Sequence, residues 1–321
     1  MKFIALAAVT LFIALYGYTQ PNQKTLIRLA DPSIFYEGGI YYLYGTGGFN
    51  GFTVYTSPDL YNWKKSDKKA LSHGDSFGNK GFWAPQVIKH QGKYFMTYTA
   101  NEQIAITQSQ SPLGPFAQAK HQPITLSGKH IDPYIFKDSN GDFYLYFVRL
   151  QKGNRIFVAR LKDNLTDIDS STVKECLSAE GGWENTANAS WPVTEGPTLV
   201  KIDNFYYLFY SANDFRNINY AVGYAISKSP LGPFIKNRHN PILSRIQTGQ
   251  NGSGHGDVLM AGDGKWYYVF HTHESAYKAG ERKTAIIQLS LSEGKPKQIT
   301  VVPGTFRYLE SNDSISDTTV N

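Results

Sequence analysis

The sequence predicts an all-β fold, a five-bladed β-propeller, from three observations: an aromatic-rich composition, five copies of one hairpin motif, and a repeat length that suits a blade. The chain has 321 residues, with 22 Tyr, 19 Phe, 5 Trp and 29 Gly, a mix suited to many short strands joined by tight turns. Hydrophobic types make up 41% and charged types 18%, enough apolar matter for a sizeable core and too little charge for a disordered chain.

The first unit runs from Asp31-Pro32-Ser33-Ile34-Phe35 through Gly39 to Tyr41-Tyr42-Leu43-Tyr44. The second has Ala84-Pro85-Gln86-Val87-Ile88, Gly92 and Tyr94-Phe95-Met96, and the third Asp132-Pro133-Tyr134-Ile135-Phe136, Gly141 and Phe143-Tyr144-Leu145-Tyr146. The fourth has Gly196-Pro197-Thr198-Leu199-Val200, Asn204 and Tyr206-Tyr207-Leu208-Phe209. The fifth has Gly256-Asp257-Val258-Leu259-Met260, Gly264 and Trp266-Tyr267-Tyr268-Val269-Phe270. Gly or Asn at the five turn positions tolerates the positive φ that a tight hairpin needs.

A second piece follows the hairpins. Ser111-Pro112-Leu113-Gly114-Pro115-Phe116 recurs as Ser229-Pro230-Leu231-Gly232-Pro233-Phe234, and Thr56-Ser57-Pro58-Asp59-Leu60-Tyr61-Asn62-Trp63 holds the same place in the first unit. A unit is therefore an inner hairpin plus one or two outer strands, about four strands in roughly 55 residues. A linear β-solenoid needs a much shorter period, which leaves radial packing of five units.

The ends of the chain read differently. Met1-Lys2-Phe3 leads into an apolar run from Ile4 to Leu15 and a polar exit at Gln20-Pro21, the pattern of a secretory signal peptide over residues 1–20. The run is too short to span a bilayer comfortably, so the expectation is a secreted or periplasmic protein without a membrane span. Residues 21–310 are assigned to the propeller and 311–321 to a polar, frayed tail. The single Cys176 excludes an intrachain disulfide, a Cys-based zinc site and an iron–sulfur cluster. A net charge of +6 without a Lys/Arg stripe reads as solvated surface charge, with no nucleic-acid partner expected.

The first strand of each propeller blade lines the central channel, so the residues entering five equivalent strands converge on one mouth. Asp31, Ala84, Asp132, Gly196 and Gly256 hold the place before the Pro position, and Ala30, Trp83, Ile131, Glu195 and His255 the place before that. An Asp before Pro can serve a turn alone. Three carboxylates from three blades in nearly one register point instead to a shared acidic pit.

Ala30-Asp31-Pro32-Ser33-Ile34, Trp83-Ala84-Pro85, Ile131-Asp132-Pro133, Glu195-Gly196-Pro197 and Gly254-His255-Gly256, in this order, resemble the inner-strand motifs of family 43 glycoside hydrolases, from about Leu29 to about Leu291. The resemblance implies an inverting hydrolase with Asp31 as general base, Glu195 as general acid and Asp132 as the acid that orients and tunes. Inversion needs one carboxylate to activate water and a protonated carboxyl across the sugar. A like charge and a dry pocket would keep Glu195 protonated, hence the helper role for Asp132.

The same resemblance implies substrate-binding roles for His255 and Arg282, and Trp83 is a candidate aromatic wall because apolar C–H faces of sugars pack on indole. Blade packing is the other reading of Trp83, pure structure that of His255, and a surface position that of Arg282. His271 and His273 alternate on one strand with no third ligand in view, so they are read as structural or water-organising, with no metal assigned. No cofactor is required, and the family likeness allows a structural calcium ion in the channel. Gln86 stands where the family often has an acid, and Trp183 and Trp191 flank a long insertion that shapes the rim. The implied substrate is carbohydrate: an exo-acting α-L-arabinofuranosidase on plant polysaccharide side chains, with β-xylosidase, galactofuranosidase and a non-catalytic carbohydrate-binding propeller as alternatives.

Overall fold

Alternating side chains in each repeat bury both faces of a strand, which forces the sheets to stack face to face around a ring. In Phe143–Leu150, Phe143, Leu145 and Phe147 pack toward the second blade while Tyr144, Tyr146 and Val148 pack toward the fourth. The computed structural model describes residues 24–312. It is a five-bladed β-propeller, and each of its five apolar clusters fills one interface between neighbouring blades, including the interface between the fifth blade and the first.

The innermost strands are Ala30–Glu37, Trp83–His90, His130–Lys137, Thr194–Ile202 and Gly254–Met260, each paired antiparallel with the strand that follows. Most blades carry the expected four strands. The second has three, extended by a bridge between Gln108 and Ala117, and the fifth gains Arg307–Tyr308 beside Ala285 and Ile286.

The first hairpin turns on Gly38-Gly39 at φ 59° and 83°, the paired left-handed residues of a type I′ turn. In the fourth hairpin the left-handed residue is Asp203 at φ 55°, not the expected Asn204. A short helix, Arg245–Thr248, interrupts the β pattern; Ser244 and Gln247 form its capping box and Gly249 at φ 69° ends it.

Both ends of the described chain meet at one seam. Thr25–Leu26 pairs with Glu310–Ser311, Ile27 donates to the Leu309 carbonyl, and Asn312 donates to Trp63 of the first blade. The paired structure thus runs past residue 310 into Ser311 and Asn312, where a frayed tail is expected, and residues 313–321 lie outside the described residues. Residues 1–20 lie outside the described residues, and no helix among the described residues is long and apolar enough to cross a membrane.

Candidate active site

Where each inner strand enters the channel, its pairing slips by one residue. Ala30 pairs with Thr46 but Ser33 with Tyr44, and equivalent shifts occur at Trp83/Gln86, Ile131/Tyr134, Glu195/Thr198 and Gly254/Gly256. The bulged residues Asp31, Ala84, Asp132, Gly196 and His255 all have positive φ, between 43° and 58°. Four of them carry a side chain there, a strain of about 1–3 kcal/mol each that holds their side chains at the mouth. His255 thereby takes the register of Asp31 and Asp132. The sequence placed it one residue earlier, level with Glu195, because the fifth blade lacks the proline that marks the bulge elsewhere.

The bulged N–H groups are satisfied from the preceding blade. Thr46 accepts from Ala84, Thr99 from Asp132, Ser211 from His255, and His271 Nδ1 from Asp31, at 2.7–3.0 Å. The equivalent residue for Gly196 is Val148, paired with Ile131, and it has no acceptor to offer. Asp132 Oδ2 takes the Gly196 N–H instead, at 3.2 Å. Gly196 is confined to glycine from two sides: its φ is 58°, and an added Cβ would stand 2.8 Å from the His255 ring.

Asp31, Asp132 and Glu195 are all nearly enclosed. His255 Nδ1 lies between the two aspartates, 3.3 Å from Asp31 Oδ1 and 3.9 Å from Asp132 Oδ2. Arg282 Nη1 and His271 Nδ1 stand 3.8 Å and 3.5 Å from the same Asp31 oxygen. Burial alone would push the Asp31 carboxyl up, but His255, Arg282, His271 and the Thr46 hydroxyl outweigh it and bring it down to about 2. Burial also favours the neutral form of both histidines, which leaves the Arg282 guanidinium as the cation facing Asp31.

Glu195 goes the other way, raised to about 7. Burial is the main cause, Asp31 and Asp214 add to it, and hydrogen bonds from Tyr220 and Asn154 oppose it. Tyr220 donates to Oε1 at 2.8 Å and Asn154 to Oε2 at 2.9 Å. Asp132 is also pushed up, first by burial and then by Glu195 and Asp31. The like-charge effect between Asp132 and Glu195 is thus felt at Asp132, and their protons leave in two steps that belong to the pair.

The remaining candidates fall in different places. Arg282 lies beside Asp31 with its guanidinium over the Phe215 ring, so the surface reading does not hold. Trp83 is 38% exposed at the mouth and its indole packs on Gly81. His271 is fully buried and stacks on Tyr220, while His273 is turned to the Phe215 carbonyl. Asn154, Tyr220, Thr46 and Ser211 were not singled out in the sequence; they reach the site from second and third strands and loops, with no local motif to mark them.

Below the acids the channel narrows. A cavity of about 30 Å³, room for about one water, is lined by Asp31, Asp132, Ser33, Gln86, His255 and Asp257 among others. Asp257 accepts from Thr198, Ile34 and its neighbour Val258, so its oxygens are engaged. Calcium takes six to eight oxygens. The residues present do not by themselves supply them, and among the described residues no group of three or more acidic, His or Cys side chains is placed to hold a metal.

Comparison with known proteins agrees with this geometry. The model of the family described as glycosyl hydrolases family 43 matches residues 25–296. A crystal structure of an endo-1,4-β-xylanase from Bacteroides thetaiotaomicron superimposes with a TM-score of 0.84 at 40% identity, covering 90% of this chain and 99% of that one. An extracellular exo-α-(1→5)-L-arabinofuranosidase from Cellvibrio japonicus is 24% identical over 279 residues, 78% of this chain and 76% of the relative. A β-D-galactofuranosidase from Aspergillus niger is 24% identical over 265 residues, 75% and 73% of the two chains. The chain belongs to family 43 of the glycoside hydrolases, an inverting family that cleaves O-glycosidic bonds.

Proposed function

We propose that the protein is an exported, exo-acting α-L-arabinofuranosidase that removes terminal sugars from plant polysaccharide side chains, with Asp31 as general base and Glu195 as general acid. The observation that carries the assignment of roles is the opposite displacement of two carboxyls in one pit, Asp31 to about 2 and Glu195 to about 7. Such a split defines which group accepts a proton and which gives one.

In this reading Asp31 takes a proton from a water whose oxygen bonds to the anomeric carbon. The glycosidic C–O bond breaks with its electron pair going to the leaving oxygen, which receives the Glu195 proton. Arg282 holds Asp31 ionised, His255 holds it in place, and Trp83 offers an indole face to a sugar ring. Export is supported by the apolar run from Ile4 to Leu15 and by the extracellular arabinofuranosidase relative.

The arabinose preference rests on that relative and on the family pattern. Release of xylose is the second reading, favoured by the 40% identical xylanase. Hydrolysis of 4-nitrophenyl α-L-arabinofuranoside, β-D-xylopyranoside and β-D-galactofuranoside, with the anomer released followed by NMR, tests both. Fastest turnover of the arabinofuranoside with inversion is expected. A clear preference for the xyloside replaces the first reading by the second, and no turnover of any of the three removes both.

A further inference from the structure

The general acid has a neighbour that reaches the rim. Trp191 Nε1 donates to Asn154 Oδ1 at 2.9 Å, and Asn154 Nδ2 donates to Glu195 Oε2 at 2.9 Å. An indole N–H can only donate, so it fixes which way the Asn154 amide faces: oxygen toward Trp191, nitrogen toward the acid.

The backbone around this relay is tightly held. The Asn154 N–H donates to the Pro192 carbonyl at 2.9 Å, and Thr194 Oγ1 donates to the Asn154 carbonyl at 3.0 Å. Gly153, at φ 114°, lets the turn come so close that a Cβ there would stand 2.5 Å from the Pro192 oxygen. The insertion before Glu195 is therefore seated on this turn, while the Trp191 side chain at its end stays 49% exposed.

We propose that Trp191 is a positioning residue for the acid, setting the sense of the Asn154 amide, and that its exposed face is the platform for the sugar on the leaving-group side. This rests on Glu195 being the general acid. An acid must lie against the oxygen that departs, so a ring bonded one residue away from it lies beneath the departing sugar, whose C–H face packs on indole.

The amide is the adjustable contact. Asp31, Asp132 and Asp214 face Glu195 as acids, Arg216 as a cation, and Tyr220 donates to Oε1, while His255 packs on the adjoining Gly196. Of the two groups bonded to Glu195 that can exchange a donor for an acceptor by rotating, the Tyr220 hydroxyl and the Asn154 amide, the amide is the one bonded to Trp191. Held by Trp191, it donates and favours the ionised acid. Released, it accepts from the protonated acid and favours that form.

The test uses the full-length enzyme on an oligosaccharide, where the departing group needs its proton. Trp191→Phe keeps the ring and its packing but removes the N–H; the alkaline limb of kcat/KM should move up by about half to one pH unit. In an Asn154→Ala background the same change should move nothing. Trp191→Ala should also raise KM for the oligosaccharide by about tenfold, while Trp191→Phe, which keeps an aromatic face, should leave it within about twofold. A limb unmoved by Trp191→Phe, or a shift that persists without Asn154, overturns the inference. An alkaline limb that survives in Glu195→Gln shows instead that Glu195 is not the acid, a separate failure.

Discussion

Asp132 receives the backbone N–H of Gly196 at 3.2 Å because Val148 leaves that N–H without the acceptor that its four counterparts find in Thr46, Thr99, Ser211 and His271. An apolar residue at one rung thus ties one acid to the backbone next to another.

Val148→Thr supplies the missing acceptor and should draw the Gly196 N–H away from Asp132. Loss of kcat by about tenfold with the melting temperature changed by only a few degrees is expected, since the hydroxyl is satisfied where it lands. Full activity in a folded variant would show that Asp132 does not depend on this bond.

Asp31→Asn removes the carboxylate that takes the water proton while keeping its shape. We expect a fall in kcat of about 10²- to 10⁴-fold on every substrate, with the fold retained by circular dichroism. Activity within a few-fold of the parent would displace Asp31 from its role.

The carboxyl values give the direction of the pH profile. The base is ionised above about 2 and the acid protonated below about 7, so activity should hold through mildly acidic pH and fall as pH rises through about 7. Glu195→Gln should abolish that fall, crippling oligosaccharide hydrolysis while largely sparing aryl glycosides that depart without a proton. Equal losses on both substrate types would argue against proton donation.

Asp132→Asn reduces the two-step titration of the pair to one step. Because the repulsion within the pair falls on Asp132, which keeps its proton while Glu195 titrates, the alkaline limb should stay within about half a pH unit while the rate falls. A limb moved down by a full unit would show instead that an ionised Asp132 raises Glu195.

Gln86 explains its own departure from the family's usual acid. Its amide accepts from Ile135 N–H at 3.1 Å and donates to the Ile135 carbonyl at 3.2 Å, stapling the second blade to the third. Gln86→Glu would set a buried carboxylate against that carbonyl, at a cost of about 1–3 kcal/mol at neutral pH. Because the folded protein would favour the protonated form, the cost should shrink as pH falls toward the ordinary carboxyl range. Thermal unfolding at two pH values checks both size and sign.

The blades were legible because hairpin turns and Asp-Pro or Gly-Pro entries repeat along the chain, and such local chemistry survives in any sequence that folds this way. The same prolines aligned Asp31 and Asp132. They failed at His255, where a one-residue bulge between Gly254 and Gly256 carries no proline to mark it. Asn154 and Tyr220 were invisible because their contacts with Glu195 join residues 41 and 25 positions apart. The helix at Arg245 could have been found from Ser244, Gln247 and Gly249, a capping box followed by a left-handed stop.

The seam sets an order of events during synthesis. Thr25 finds its strand partner in Ser311, and Ile27 lies against Leu309, so the first blade waits beside an unfinished ring until almost the entire polypeptide has left the ribosome. Until then Ile27, Leu29 and Trp63, all buried in the finished protein, lack the Leu309 that packs with them at the seam. A nascent chain of this design closes its ring late, and one shortened before Leu309 loses the strand that seals the seam. Such a truncated product would present an open apolar flank to chaperones and proteases rather than a weakened enzyme to its substrate.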